Sequence, residues 1–247
     1  MIGIVGGVGS YAGIDLIKKI YDQTDALCDQ DHLPVSMLSV PDKIWDRTDF
    51  LLGNSTHNPG IAISDVINVL YHNGASIIGI PCNTAHSPLI FDEIICNTPV
   101  EIQIIHMIEA VVQYIHNHYS GVKKVGVLST TGTLMTNIYP HYFSQYNIDV
   151  IQMPQELQDL YVHAAIYDLN YGIKAVSNPV SNIAKNDLMI AVNYLIKKNV
   201  ELIILGCTEI PLAITEMSVD DIPIIDATKI LAYSLVAASS PAQVTLS

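Results

Sequence analysis

The stretch IIGIPCNTAH (77–86) decides the fold. It reads as a short apolar strand that closes on small residues, then a cysteine and a threonine nearby. LIILGCTEIP (202–211) repeats the pattern. Each lies behind a glycine-containing strand, GIVGGVGS (3–10) in the first half and VGVLSTTGT (125–133) in the second. Gly3 precedes Cys82 by 79 positions and Gly126 precedes Cys207 by 81, which points to a duplicated unit.

Working outward, short β-branched runs alternate with longer helical patterns. Strands are predicted at 2–5, 35–40, 76–80, 101–105, 124–129, 148–153, 201–205 and 222–225. Helices are predicted around 11–27, 60–72, 106–119, 135–146, 155–169, 180–198 and 227–238. Such alternation builds parallel sheets covered by helices on both faces. The predicted fold class is therefore α/β, as two pseudo-symmetric parallel-sheet domains facing each other across a central cleft. The first domain is expected over 1–98 plus 208–247 and the second over 99–207, with a boundary near CNTPVE (96–101) and the last strand and helix packed back on the first half.

Composition narrows the function. The 247 residues are 50% hydrophobic and 14% charged, where a typical domain carries roughly 25% charged residues. That is the opposite of a disordered chain. Acidic residues number 24 and basic ones 11, a net charge of −13, and the only arginine is Arg47. A chain with no basic cluster does not suit nucleic acid or an anionic membrane surface. Its apolar runs fall far short of a membrane span; the apolar stretch 222–240 is interrupted by Asp226 and Lys229. MIGIVGG (1–7) lacks the basic start and long apolar core of a signal peptide, so the cytosol is the expected location. The four cysteines, Cys28, Cys82, Cys96 and Cys207, show no zinc-type spacing and are expected as reduced thiols, with no bound metal.

In open α/β sheets ligands bind beyond the carboxyl ends of the strands. Four polar segments fall there: GGVGS (6–10), CNTAH (82–86), STTGT (129–133) and CTE (207–209). If the halves face each other, Cys82 and Cys207 approach one pocket from opposite sides. Two opposed thiols suit racemisation, which needs a base on one face of a carbon and an acid on the other; a tuned thiol serves as either. The plainer reading is two core cysteines at strand ends.

These residues carry a resemblance. PCNTAH (81–86) and GCTEIPL (206–212), with GIVGGVG (3–9), resemble the aspartate/glutamate racemase family. WDRT (45–48), STTGT (129–133) and IYDLNYGIKA (166–175) resemble its aspartate racemase branch. The resemblance runs in order from Ile2 to about Asp226 and departs at Ser10, where the family's glycine loop usually carries proline. It implies a cofactor-independent amino acid racemase, commonly a homodimer, with Cys82 and Cys207 as the two acid/base residues. Asn83, Thr84 and Thr208 are then expected on the substrate's α-carboxylate or ammonium, and Arg47 and Lys174 on its carboxylates, with Thr133 in the STTGT segment as a further substrate contact. Arginine offers a carboxylate a two-pronged fork and lysine a point charge. Hydroxyls and helix-start N–H groups add donors that stabilise charge as the α-proton leaves. An anionic substrate on an acidic protein relies on such local cations, since salt screens the long-range repulsion within about 8 Å.

Glu209 either orients a group near Cys207 or caps a helix. His86 is read as structural, and Cys28 and Cys96 are left to packing. Three rivals stand beside the racemase: a dinucleotide-binding protein, a relative of the same fold acting on another small carboxylic acid, and a non-catalytic amino acid binder. Gly7-Val8-Gly9-Ser10-Tyr11-Ala12 fits the dinucleotide fingerprint, but no acid ends the next predicted strand, where Ser39-Val40-Pro41 stand.

Overall fold

The computed structural model describes residues 1–245. By its internal contacts the chain divides into two compact units, Met1–Ala110 with Thr228–Ser247, and Val111–Ala227.

The first unit opens with β1 (Ile2–Gly6), α1 (Ser10–Asp22), β2 (Val35–Ser39), α2 (Arg47–Leu51), α3 (Pro59–His72), β3 (Ile77–Gly79), α4 (Pro88–Cys96) and β4 (Gln103–Ile104). Its sheet runs β2-β1-β3-β4, all parallel, with Gly6 beside Ser39 and Ile4 beside Gly79. Every residue of β1 is buried, as a strand covered on both faces requires. Val5, Ile63, Ile67, Leu70, Ile78, Ile80 and Ile90 form one core cluster here. The α3 residues among them, Ile63, Ile67 and Leu70, recur at helical spacing and so share one face. Asn58 caps α3 through its side chain, with Pro59 at the first helical position, where a missing N–H costs nothing.

α5 (Met107–His118) follows, and the contact division falls within it. The second unit continues with β5 (Lys124–Ser129), α6 (Thr131–Met135), α7 (Ile138–Ser144), β6 (Asp149–Ile151), α8 (Gln155–Leu157), a π-helix over Gln158–His163, α9 (Ala164–Tyr167), α10 (Asn182–Lys197), β7 (Leu202–Gly206), β8 (Ser218–Val219) and β9 (Ile222–Asp226). Its sheet runs β6-β5-β7-β9-β8, parallel except for the antiparallel edge strand β8. Leu128, Val162, Ile166, Leu188, Val192, Leu195, Ile203 and Leu205 build the second core. The last helix, α11 (Ala227–Ser239), belongs from Thr228 onward to the first unit, where Leu235 packs within 2.6 Å of the Cβ position of Gly79.

Leaving out β8, the two sheets share one strand order: second, first, third, fourth. In each, the chain steps from its first strand to one side and then to the other, which makes a topological switch point between the first and third strands. The predicted alternation is present, with three differences. α1 stops at Asp22 rather than near residue 27, because Thr24 leaves the helix to bridge to Val244. α2, α4, α6 and β8 are additional elements, each too short for periodicity to reveal. The long predicted helix over 155–169 is broken into α8, the π-helix and α9. Among the described residues no helix is long and apolar enough to cross a membrane.

Candidate active site

In the first unit, the switch point is built from the glycine loop after β1 and the turn after β3. Gly7 has φ +82°, and a Cβ there would stand 2.8 Å from the Pro41 nitrogen, so the loop needs glycine. Arg47 opens α2, whose first turn is capped by Asp46 accepting from the Thr48 and Asp49 N–H groups. The Arg47 side chain is not a surface group. It is 7% exposed, and its Nη2 donates to the Val8 carbonyl at 2.7 Å while Nη1 donates to the Trp45 carbonyl at 3.2 Å. The sole arginine thus fastens the glycine loop to α2.

Cys82 lies just beyond β3 and is buried, as are Asn83, Thr84 and His86 in the 3₁₀ turn that follows. α2 packs against this turn, which brings the Arg47 helix to the cysteine segment. His86 Nδ1 donates to the Cys82 carbonyl at 2.9 Å, tying the turn back on itself. Its ring stacks on Phe91 and meets His106 edge-on at 4.8 Å. Burial first, and then the neighbouring His106, push its pKa down to about 3, so it is a neutral donor.

In the second unit the register sets Ser129 beside Gly206, so the segments after β5 and β7 leave the sheet side by side. Thr130 caps α6, accepting from the Thr133 N–H at 3.3 Å, with the two hydroxyls 3.1 Å apart. Cys207 is 3% exposed, and its Sγ donates to Glu209 Oε2 at 3.0 Å. Thr208 Oγ1 reaches the same oxygen at 3.4 Å. Lys174 Nζ donates to the other oxygen, Oε1, at 3.1 Å, and lies over the Tyr167 ring. Burial raises the Cys207 thiol well above its ordinary range; the Glu209 charge and hydrogen bond add to this, and Lys174 opposes it. At rest this sulfur carries its proton.

The structure therefore gathers Arg47, Cys82, Asn83 and Thr84 at one switch point, and Thr133, Lys174, Cys207 and Thr208 at the other. Of the two readings of Glu209, it shows the orienting one: the carboxylate holds Cys207, Thr208 and Lys174, and makes no side-chain cap to the turn that follows. Sequence reasoning passed over Gln158 and His163, which reach Thr131 from the π-helix. A π turn leaves no periodic signal by which they could be found. Among the described residues no group of three or more His, Cys, Asp or Glu stands close enough to hold a metal ion.

Two parallel α/β units of one strand order, each placing a buried thiol just past its third strand, define the class: a two-unit α/β protein with a thiol at each switch point. The sequence model of the Asp/Glu/Hydantoin racemase family matches residues 5–235, and the chain belongs to that family. It is an amino acid racemase. RacX of Bacillus subtilis, a broad specificity amino-acid racemase, is 27% identical over 242 residues that cover 96% of each chain. The aspartate racemase of Picrophilus torridus is similar in structure with a TM-score of 0.79 and 29% identity, over 96% of this chain and 93% of that one. An aspartate racemase homologue from Pyrococcus horikoshii, at 22% identity, shares the fold with a TM-score of 0.71, over 97% of this chain and 98% of that one.

Proposed function

We propose that the protein racemises aspartate by a two-base mechanism in which Cys82 and Cys207 act on opposite faces of the α-carbon. The observation that carries this reading is the buried thiol just past the third strand of each sheet, with Cys207 hydrogen-bonded to a carboxylate that Lys174 balances. In one direction a Cys82 thiolate takes the α-proton and the Cys207 thiol delivers its own to the other face; in the reverse direction the roles exchange. One proton is removed and one supplied, so the step balances and calls on no cofactor.

Supporting groups belong to the same reading. Hydroxyls and N–H groups of Asn83, Thr84 and Thr208 would hold the α-carboxylate or ammonium, with Thr133 a further contact. Arg47 and Lys174 supply the positive charge that a desolvated dicarboxylate requires. Catalytic thiols have to stay reduced, which suits the cytosol, and none of the four cysteines is in a disulfide. A homodimer is part of this reading, and sedimentation equilibrium tests it.

One observation favours a second reading, a racemase of several polar amino acids. Glu209 already neutralises Lys174, so a side-chain carboxylate would find less free charge there. Proton NMR in D₂O separates the two. The first reading expects loss of the α-proton signal from both aspartate enantiomers, with glutamate, asparagine and serine at least tenfold slower. Comparable exchange across these amino acids supports the second. No exchange from any of them contradicts both.

A further inference from the structure

We infer that His163 is a specificity-determining residue, whose Nε2 reads an acceptor oxygen on the side chain of the substrate. The inference rests on the racemase reading and extends it to a substrate class: amino acids whose side chains carry a carboxylate, amide or hydroxyl oxygen.

The local backbone is the first observation. Residues 158–163 form a π-helix, a rare geometry that is frequent at functional sites. Its effect is to bring positions five apart together. In an α-helix, at 3.6 residues per turn, Gln158 and His163 would point about 140° apart. Here both reach one hydroxyl: Gln158 Nε2 lies 3.5 Å and His163 Nδ1 3.3 Å from Thr131 Oγ1.

Burial and hydrogen bonding supply the second observation. Gln158 is fully buried, and its Nε2 also donates to the Ser129 carbonyl at 2.9 Å, which fixes the amide orientation. Its Oε1, among the described residues, has no hydrogen-bond partner. A buried amide with an unmet acceptor is costly, and it is kept here where it holds the end of β5.

In this reading the protons take one arrangement. Thr131 accepts from Gln158 and gives its own hydroxyl proton to His163 Nδ1. An imidazole that accepts at Nδ1 carries its proton on Nε2. Among the described residues that Nε2 has no hydrogen-bond partner, and the ring is part-exposed. It is a fixed donor, held in plane by stacking on Tyr167, with ring centroids 4.7 Å apart and planes 19° from parallel.

Position relative to Cys207 suits a side chain rather than the reacting carbon. Ser129 pairs with Gly206, so Thr131 and Cys207 are one strand spacing, about 4.8 Å, plus a residue or two apart. Thr131, His163, Tyr167, Lys174 and Glu209 form a chain of contacts that leads back to Cys207. Cys207 lies at one end of that chain and His163 near the other.

Three variants test this, using α-proton exchange in D₂O on the best substrate of the unaltered protein. His163→Ala should raise KM at least tenfold with kcat within threefold. His163→Asn places an amide oxygen where Nδ1 stands, so it keeps an acceptor for the Thr131 hydroxyl and loses Nε2; it should behave like His163→Ala. His163→Gln reaches the Nε2 position and should restore KM to within threefold. The inference is overturned if His163→Ala leaves KM unchanged, if His163→Asn behaves like the unaltered protein, or if kcat falls as KM rises; the last two assign His163 to holding Thr131. Loss of exchange on every amino acid already in the unaltered protein is a different result, and overturns the racemase reading together with this one.

Discussion

Replacing Glu209 with glutamine probes the environment of Cys207 most sharply. The substitution keeps shape and an acceptor oxygen but removes a full charge 3.0 Å from the sulfur. At an effective dielectric near 20, a unit charge at that distance opposes a thiolate by about 5 kcal/mol. Lys174, bound to the far oxygen of the carboxylate, offsets part of this in the intact protein. In Glu209→Gln the repulsion is gone while the attraction of the ammonium stays, so the change favours the thiolate. Allowing for relaxation of the lysine, the ionisation midpoint of Cys207 should move down by about 1 to 3 pH units at 1.36 kcal/mol each. The assay is the ultraviolet absorbance of the thiolate against pH, in protein whose other three cysteines are serine. Stability supplies a second readout. Because the folded thiol is raised, its contribution is complete below the ordinary thiol value of 9.0 and is lost as pH climbs above it. Glu209→Gln should shrink that alkaline loss. An unchanged or higher midpoint refutes the assignment of Glu209 to the thiol.

Two further outcomes follow from other buried groups. His86, held near pKa 3, and His106, held near 4 chiefly by burial, are both depressed from 6.5. Their stabilising contribution is therefore present above pH 6.5 and lost on acidification, by about 2 kcal/mol each at pH 5; His86→Gln should remove roughly half of that loss in urea titrations at the two pH values. Arg47→Lys keeps the charge but not the double reach to Val8 and Trp45. It should lose one charge-assisted bond, about 1.5–3 kcal/mol, or some 3–12 °C in Tm, and raise KM for aspartate at least tenfold; intact kinetics would make the arginine a bystander to binding.

How much of this was legible in the sequence depended on range. β1 and β7 announced themselves because strands buried on both faces are apolar throughout. The duplication was visible as well, since Cys82 and Cys207 keep their distance from Gly3 and Gly126. Glu209 could be weighed because it stands two residues from its thiol. What could not be read were pairings set by tertiary folding. Arg47 meets the Val8 carbonyl 39 positions away, and Lys174 meets Glu209 at 35. No local pattern encodes either contact, so both cations were expected simply on substrate carboxylates. The π turn was hidden for a different reason. Gln158 to His163 has an acceptable α-helical composition, and only the hydroxyl of Thr131, more than 25 residues earlier, marks what the extra residue in the turn achieves.

The central claim is that two thiols share one α-carbon, and its most direct measurement is deuterium incorporation by each enantiomer separately, in Cys82→Ser and Cys207→Ser proteins. Each variant should lose interconversion of D- and L-aspartate by at least a hundredfold, while exchange of a single enantiomer, opposite in the two variants, is the outcome retained. Racemisation at the unaltered rate in either variant would contradict the account.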